Sequence, residues 1–238
     1  MVRAINSGGK EQMKADSRRR ILLVDDHPLV REGVATMIRS THDLEVAGEA
    51  GSAAEALQVL ASHVPDLVMV DLAMPGVSGL DLIKEVRNRY PELRILVLSM
   101  HEEGVYAERV LRAGAHGYIM KQAPGLKIIE AVRSVLRGEV YVSPAIASRM
   151  LKLIVDGKGG KEGRSCVEQL SNRELQVFTC IGNGMATQEI ASQLGLSAKT
   201  IQTYREHIKR KLGLRNATDL VHQATQWAQA EVAQPPAS

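Results

Sequence analysis

Short apolar runs alternate with amphipathic segments over the first 140 residues of the chain. The runs are ILLVD (21–25), LEVAG (44–48), DLVMVD (66–71), RILVLS (94–99) and HGYIM (116–120). Apolar runs of this length, bounded by turn formers, predict strands buried on both faces, which is how parallel sheets look in sequence. Between and after them lie PLVREGVATMIRS, SAAEALQVLASH, SGLDLIKEVRNRY, EEGVYAERVLRAG and APGLKIIEAVRSVLRG, all with apolar residues at helical spacing. Ser52 and Ser78 suit helix N-caps, and Pro28 and Pro124 suit first-turn positions. Five strands alternating with five helices predict an α/β fold, a doubly wound five-stranded parallel sheet.

The pattern then changes. DGKGGKEGRS (156–165) has no periodicity and reads as flexible linker. It does not match a phosphate-cradling G-x-x-x-x-G-K-[ST], because neither Lys158 nor Lys161 is followed by Ser or Thr. Residues 168–230 carry only helical patterns. The expected organisation is a disordered arm (1–19), an α/β domain (20–138), a linker (139–167), a small all-α domain (168–230) and a disordered tail (231–238).

In the all-α part, Ser171 and Glu174 have capping-box spacing. A helix, a turn at Gly195, a second helix capped by Ser197 and a stop at Gly213 then spell a helix-turn-helix. Ile201, Tyr204, Ile208 and Leu212 share one stripe of the second helix, while Lys199, Gln202, Thr203, Glu206 and Arg210 share the opposite one. With Arg205, Lys209 and Lys211, the helix has a local charge of about +4, the kind of patch that phosphate contacts need. A solvated polar face would look the same, and the preceding helix and turn are what favour DNA reading.

Composition narrows the remaining classes. Aromatics are 3% of the 238 residues, so the cores must be aliphatic, and the net charge of +3 makes any nucleic-acid signal local. Cys166 and Cys180 form no CxxC pair or Cys/His cluster, which disfavours a zinc site or a disulfide framework. Cys180 falls in an apolar helical pattern and is expected in the core, Cys166 as an inert exposed thiol. No run is long enough to span a bilayer, and the N-terminal stretch lacks an apolar signal segment. The expectation is a cytoplasmic protein without a membrane partner.

The strand ends carry the chemistry. The first predicted strand ends in Asp25 and Asp26, the third in Asp71, and parallel strands bring their carboxyl ends to one edge. Taken alone, Asp71 could simply bond to the turn at Met74-Pro75-Gly76. Three carboxylates within about 4–5 Å, however, repel by roughly 4 kcal/mol per pair at an effective dielectric of 20. Protonation can offset that, but an all-oxygen cluster with room for water suits Mg²⁺. Ser99 and Lys121 end the fourth and follow the fifth strand, so a hydroxyl and an ammonium face the same edge. Such a set suits phosphoryl transfer to a carboxylate.

Residues 20–138, through VDDHPLVREG, DLVMVDLAMPGVSGLDL, ILVLSMH and AGAHGYIMKQA, resemble the receiver domain of two-component response regulators, a flavodoxin-like fold. The resemblance implies that Asp71 is the phosphoacceptor for a partner histidine kinase. It further implies that Asp25, Asp26, Asp71 and the Ala73 carbonyl hold Mg²⁺, that Lys121 contacts the phosphoryl oxygens, and that Ser99 with Tyr118 forms the switch pair. Phosphorylation would draw Ser99 inward, with Tyr118 following into the space it vacates. Gln122 departs from the Pro that many receivers carry after the lysine. An aspartyl-nucleophile phosphatase is the enzymatic rival, but D-x-D-x-[TV] needs an acid two residues after the nucleophile, where this chain has Ala73. Steady turnover is therefore not expected, only self-assisted phosphoryl transfer and autodephosphorylation.

Residues 168–230 resemble the LuxR-type DNA-binding domain, and the pairing resembles NarL/FixJ-class response regulators. This implies a recognition helix, Ser197 to Leu212, in the major groove of double-stranded DNA. Gln202, Thr203 and Glu206 are the candidates for base edges, and Lys199, Lys209, Arg210 and Lys211 for phosphates. NATDLVHQATQWA would form a last helix that pairs two copies, giving a homodimer on two half-sites. The expected function is transcription control through aspartyl phosphorylation, with the receiver masking the recognition helix or dimer face until then. The alternatives are a phosphorylation-independent regulator whose receiver serves as a dimerisation module, and an adaptor with a decayed helix-turn-helix.

Overall fold

The structure is a computed structural model that describes residues 18–101, 103–155 and 166–232. The predicted arm before residue 18, the 156–165 stretch, the Cys166 thiol and the tail beyond residue 232 lie outside the described residues. The α/β part runs β1 (Arg19–Val24), α1 (Pro28–Arg39), β2 (Leu44–Ala50), α2 (Ala53–Ser62), β3 (Leu67–Val70), α3 (Gly79–Arg89), β4 (Arg94–Ser99), α4 (Glu103–Arg112), β5 (Gly117–Met120) and α5 (Gly125–Leu136). All strands are parallel, in the order β2-β1-β3-β4-β5.

Alternation along each strand sends side chains to two cores. Ile21, Leu23, Leu67, Met69, Leu96, Leu98 and Ile119 meet α1 and α5, while Leu22, Val24, Val68, Val70, Ile95, Val97 and Tyr118 meet α2, α3 and α4. Both faces are covered, so the strands read as unbroken apolar runs. The caps follow the sequence. Ser52 and Ser78 accept from the backbone N–H groups of Glu55 and Asp81, and Pro28 starts α1. Pro124 differs by one position, acting as N-cap of α5 rather than its first residue.

The segment expected as linker is more ordered than composition suggested. Tyr141 adds to the β5 edge through Tyr118 N–H to its carbonyl (2.8 Å) and its own N–H to the His116 carbonyl (3.1 Å). Helix α6 (Pro144–Val155) follows and packs on α4. The apolar period of AIASRMLKLI explains it, with Ile146 buried and Met150 partly so. Beyond a 3-10 turn (Cys166–Gln169) come α7 (Asn172–Gly182), α8 (Thr187–Leu194), α9 (Ala198–Leu212) and α10 (Ala217–Val232). Ser171 and Glu174 close the capping box, Ser197 caps α9, and Gly195 and Gly213 take left-handed geometry at helix ends (φ 62° and 67°). Cys180 is buried, with its thiol pKa pushed up to about 11 by burial. The core on the α2–α4 side of the sheet continues into these helices.

Gly79, the first residue of α3, sits directly on the end of β3. A Cβ there would lie 2.0 Å from the Asp71 carbonyl oxygen and 2.7 Å from Leu72 Cα. Both obstacles are backbone, so Gly79→Ala is expected to cost about 1–3 kcal/mol of unfolding free energy, measured by urea denaturation. A midpoint equal to wild type would mean that α3 is not seated on the strand end as described.

Candidate functional site

The sheet ladder continues one residue past the strands and places the acids. Asp25 N–H bonds to the Ala50 carbonyl (3.0 Å), Asp71 N–H to Val24 (2.9 Å) and Lys121 N–H to Ser99 (2.8 Å). Lys121 Nζ then lies 2.7 Å from Asp25 Oδ2 and 2.8 Å from Asp71 Oδ2, with all three side chains at most 8% exposed. Asp71 Oδ1 is buried with no hydrogen-bond partner among the described residues. Burial, with Asp25 adding to it, raises the Asp71 pKa above its ordinary value against the pull of Lys121. Burial works against the Lys121 charge, but the two carboxylates outweigh it and hold its pKa above the usual lysine value.

Ligand atoms of Asp25, Asp26, Asp71 and His27 all lie within 4.8 Å of one another. Three carboxylates with an unpartnered buried oxygen fit a hard divalent cation. His27 was not singled out in the sequence, yet its Nδ1 is 3.0 Å from Asp26 Oδ1. Its signal was only its place after two acids. The Ala73 backbone N–H exerts a small lowering influence on the Asp71 carboxyl pKa.

Ser99 is fully buried and accepts from His101 N–H (3.2 Å). Tyr118 is 1% exposed, and its hydroxyl donates to the His101 carbonyl (2.7 Å). The ring expected to move in after Ser99 is thus already inside, because the β5 alternation points it into the core. His101 also stacks on Tyr106 of α4, with centroids 4.7 Å apart.

On α9, Ile201 and Ile208 are buried and Tyr204 and Leu212 partly so, while Lys199, Gln202, Thr203, Glu206, Arg210 and Lys211 are exposed. Gln202 Nε2 donates to Glu206 (3.4 Å), Lys209 pairs with Glu206 (2.9 Å), and the Thr203 hydroxyl donates to the Lys199 carbonyl (3.1 Å). Lys211 reaches back to buried Glu174 (2.5 Å), tying the end of α9 to the start of α7.

Comparison with known proteins gives this geometry a lineage. Residues 21–133 match the response regulator receiver domain family, and residues 168–224 match the bacterial regulatory proteins of the luxR family. The oxygen regulatory protein NreC of Staphylococcus carnosus (strain TM300) is 36% identical over 86% of this chain and 96% of its own length. The transcriptional activator protein ExaE of Pseudomonas putida is 39% identical over 86% and 94%. The chain belongs to the NarL class of two-component response regulators. Among solved structures, RcsB from Salmonella enterica serovar Typhimurium, bound to promoter rprA with the phosphomimetic BeF3-, superposes with a TM-score of 0.58 at 26% identity, covering 88% of this chain and 99% of that one. A LuxR-family response regulator from Aurantimonas sp. SI85-9A1 superposes with 0.54 at 35% identity, over 58% and 99%. This response regulator is accordingly a transcription regulator, and among its described residues no helix is long and apolar enough to cross a membrane.

The two halves of the regulator meet at the loop that follows Asp71. Gln176 of α7, itself buried, donates to the Leu72 carbonyl (3.1 Å), and Arg173 donates to the Met74 (3.3 Å) and Gly76 carbonyls. Gly195, in the turn between α8 and α9, abuts Pro75, where a Cβ would sit 2.8 Å from the ring. From the other side, Arg109 of α4 donates to the Val167 and Leu170 carbonyls, both at 2.9 Å. Tyr106 is buried on this side, and burial holds its hydroxyl pKa well above the ordinary value against a smaller lowering by Thr179 of α7. The receiver therefore does not cover the outer stripe of α9, as masking of the recognition helix would require; it grips α7 and the turn. The contacts of Arg109 span 58 and 61 residues of chain and those of Arg173 and Gln176 span 97 to 104, and no local pattern announces them.

Burial, and after it Lys121, lowers the His101 pKa from 6.5 to about 4. The unfolded chain takes up that proton first, so stability falls as pH drops from 6.5 toward about 4. An NMR titration of the His101 imidazole should show no protonation until about pH 4, and His101→Gln should flatten the acid limb of the stability curve. A midpoint near 6.5 would contradict the buried stack.

Proposed function

We propose that Asp71 accepts a phosphoryl group from a histidine kinase and that the modified loop then releases the DNA-binding helices from the receiver. The observation that carries this is the buried, unpartnered Asp71 Oδ1 beside Lys121. That oxygen attacks phosphorus, the N–P bond of the donor phosphohistidine breaks, and the histidine nitrogen keeps the electron pair. Mg²⁺, held by Asp25, Asp26, Asp71 and the Ala73 carbonyl, would supply charge neutralisation at the transferring oxygens. Lys121 exchanges its Asp71 contact for the phosphoryl oxygens, and the Ser99 hydroxyl donates to them. Slow attack by water on the same phosphorus gives autodephosphorylation.

Drawing Ser99 toward the phosphoryl group disturbs the 99–101 turn, which Tyr118 and Tyr106 hold. Added charge on Asp71 also moves the loop whose carbonyls Gln176 and Arg173 grip. A swing from 1:99 to 99:1 needs about 5.5 kcal/mol of differential stabilisation, which a few charge-assisted hydrogen bonds supply. Once released, α9 enters the major groove with Gln202, Thr203 and Glu206 toward base edges and Lys199, Lys209 and Arg210 toward phosphates, while Lys211 keeps its partner Glu174. Val221 and its neighbours on the exposed face of α10 pair two copies on adjacent half-sites. The placement of the loop grip next to Asp71 favours this switch over a phosphorylation-independent regulator.

Intact mass after incubation with a small phosphodonor tests the first step. Wild type with Mg²⁺ should gain one phosphoryl group, and Asp71→Asn should gain none; equal gain by both would remove Asp71 from the reaction. The second step is read on DNA. Arg173→Ala with Gln176→Ala should raise the affinity of the unphosphorylated protein for its promoters by about 5- to 150-fold, the range of ordinary coupling energies. Unchanged affinity would mean that the interdomain grip does not restrain DNA binding.

A further inference from the structure

A cleft of about 320 Å³ opens where the receiver and the DNA-binding helices meet, and Asp71 does not line it. The receiver wall comes from α3 and α4, the opposite wall from α7 and from Trp227 of α10, and α6 contributes Arg149. Its charge is one-sided. Lys84, Arg109, Arg112 and Arg149 line it against one carboxylate, Glu108. Arg109 is committed to the interdomain carbonyls. The other three make lighter use of their donors: Arg112 pairs with Glu108 along its own helix, Arg149 gives one N–H to the Gly104 carbonyl (3.3 Å), and Lys84 stands 3.9 Å from Asp81. Guanidinium groups have five donors each, so capacity remains for an anion.

Converging like charges raise the local potential and concentrate anions in a cleft with apolar walls. Within the cleft the chain's own counter-charges are Glu108 on Arg112 and Asp81 near Lys84, fewer than the cations, and the 156–165 stretch is itself net basic in sequence, with Lys158, Lys161 and Arg164 against Asp156 and Glu162. Beside the cations stands an aromatic wall. Trp227 is half-buried, tilted against Phe178 with centroids 5.6 Å apart, and still lines the cleft. A bare phosphate would leave that wall unused, and a volume near the low end of ligand pockets suits one ring system with a short phosphate chain.

We propose that this cleft binds a nucleotide, with its phosphates on Arg112, Lys84 and Arg149 and its base against Trp227. Binding itself does not depend on Asp71. Because the ligand would touch both domains, it favours their docked arrangement over any in which α7 has left the receiver. By linkage, it would weaken DNA binding as a second input to the same switch; this consequence, unlike the binding, rests on the function proposed above.

Trp227 is the one tryptophan of the chain, so its emission reports directly on the site. The full-length protein is titrated with purine and pyrimidine nucleoside mono- and diphosphates and, separately, with inorganic phosphate. A saturable change in Trp227 emission is expected with a nucleotide, at concentrations at least about tenfold below those at which phosphate acts. In Lys84→Glu with Arg112→Glu, affinity should fall by about tenfold or more, as loss of a charge-assisted contact predicts. Phosphoryl uptake on Asp71, followed by mass, should be unchanged in that variant and so shows that it is folded. No saturable response to any nucleotide, equal affinity for phosphate and nucleotide, or undiminished binding by the double variant would each overturn the proposal. Failure of the switch reading would instead appear as absent phosphoryl uptake by wild type, with nucleotide binding intact.

Discussion

Lys121 lies between Asp25 and Asp71, and the three charges are almost wholly withdrawn from water. Burying an ammonium and two carboxylates is unfavourable unless each is paired, and here one cation serves two anions. Removing the lysine would leave two facing carboxylates with nothing between them. The arrangement holds because three strand ends are locked in register by backbone hydrogen bonds, so the acids cannot drift apart. What remains is a site with an excess of negative charge in which Asp71 Oδ1 and Asp26 Oδ1 have no hydrogen-bond partner among the described residues, poised for electrophilic or cationic company.

The two faces of the sheet have different reach. The face under α1 and α5 closes on itself, whereas the face under α2, α3 and α4 shares one continuous core with the helix-turn-helix. Tyr118 belongs to the second face, as does Tyr106, and both touch His101. Polar contacts at Leu72, Met74 and Gly76 lie along the same side. A disturbance at the strand ends is thus felt toward α7 rather than toward α5, since packed interiors transmit displacement along contiguous contact.

Much of this was legible from local pattern. Apolar runs marked the strands, and a parallel sheet forces their ends together, so Asp25, Asp71, Ser99 and Lys121 group by their positions in the chain alone. Cap residues such as Ser78, Ser171 and Ser197 marked helix starts because capping is a short-range bond. Helix α6 escaped notice because a Gly- and Lys-rich stretch follows it and coloured the whole segment as linker. The grip of Arg173 and Gln176 on the Asp71 loop escaped for a different reason. It joins side chains to carbonyls, which every residue has, across a separation that periodicity does not encode. The link from Lys211 to Glu174 is similar: a lysine at the end of a basic helix reads as a phosphate contact, and its position over a buried glutamate is a tertiary fact.

The single bridge that Tyr141 makes to the edge of β5 bears on how copies of this protein can meet. An exposed sheet edge is a template for another chain, and β5 would be such an edge. Tyr141 occupies its hydrogen-bonding groups at His116 and Tyr118, and Gly117 allows that close approach, since a Cβ there would lie 2.9 Å from the Tyr141 carbonyl. On the far side, β2 carries Glu45 and the Glu49 carboxylate, which is paired with Arg31 and Arg39, so charged groups flank that edge. With one rim partly covered and the other carrying acids, sheet-to-sheet fusion is a poor route to self-association. Any pairing of copies would then fall to helical surfaces, which can part again without unravelling a ladder of backbone bonds.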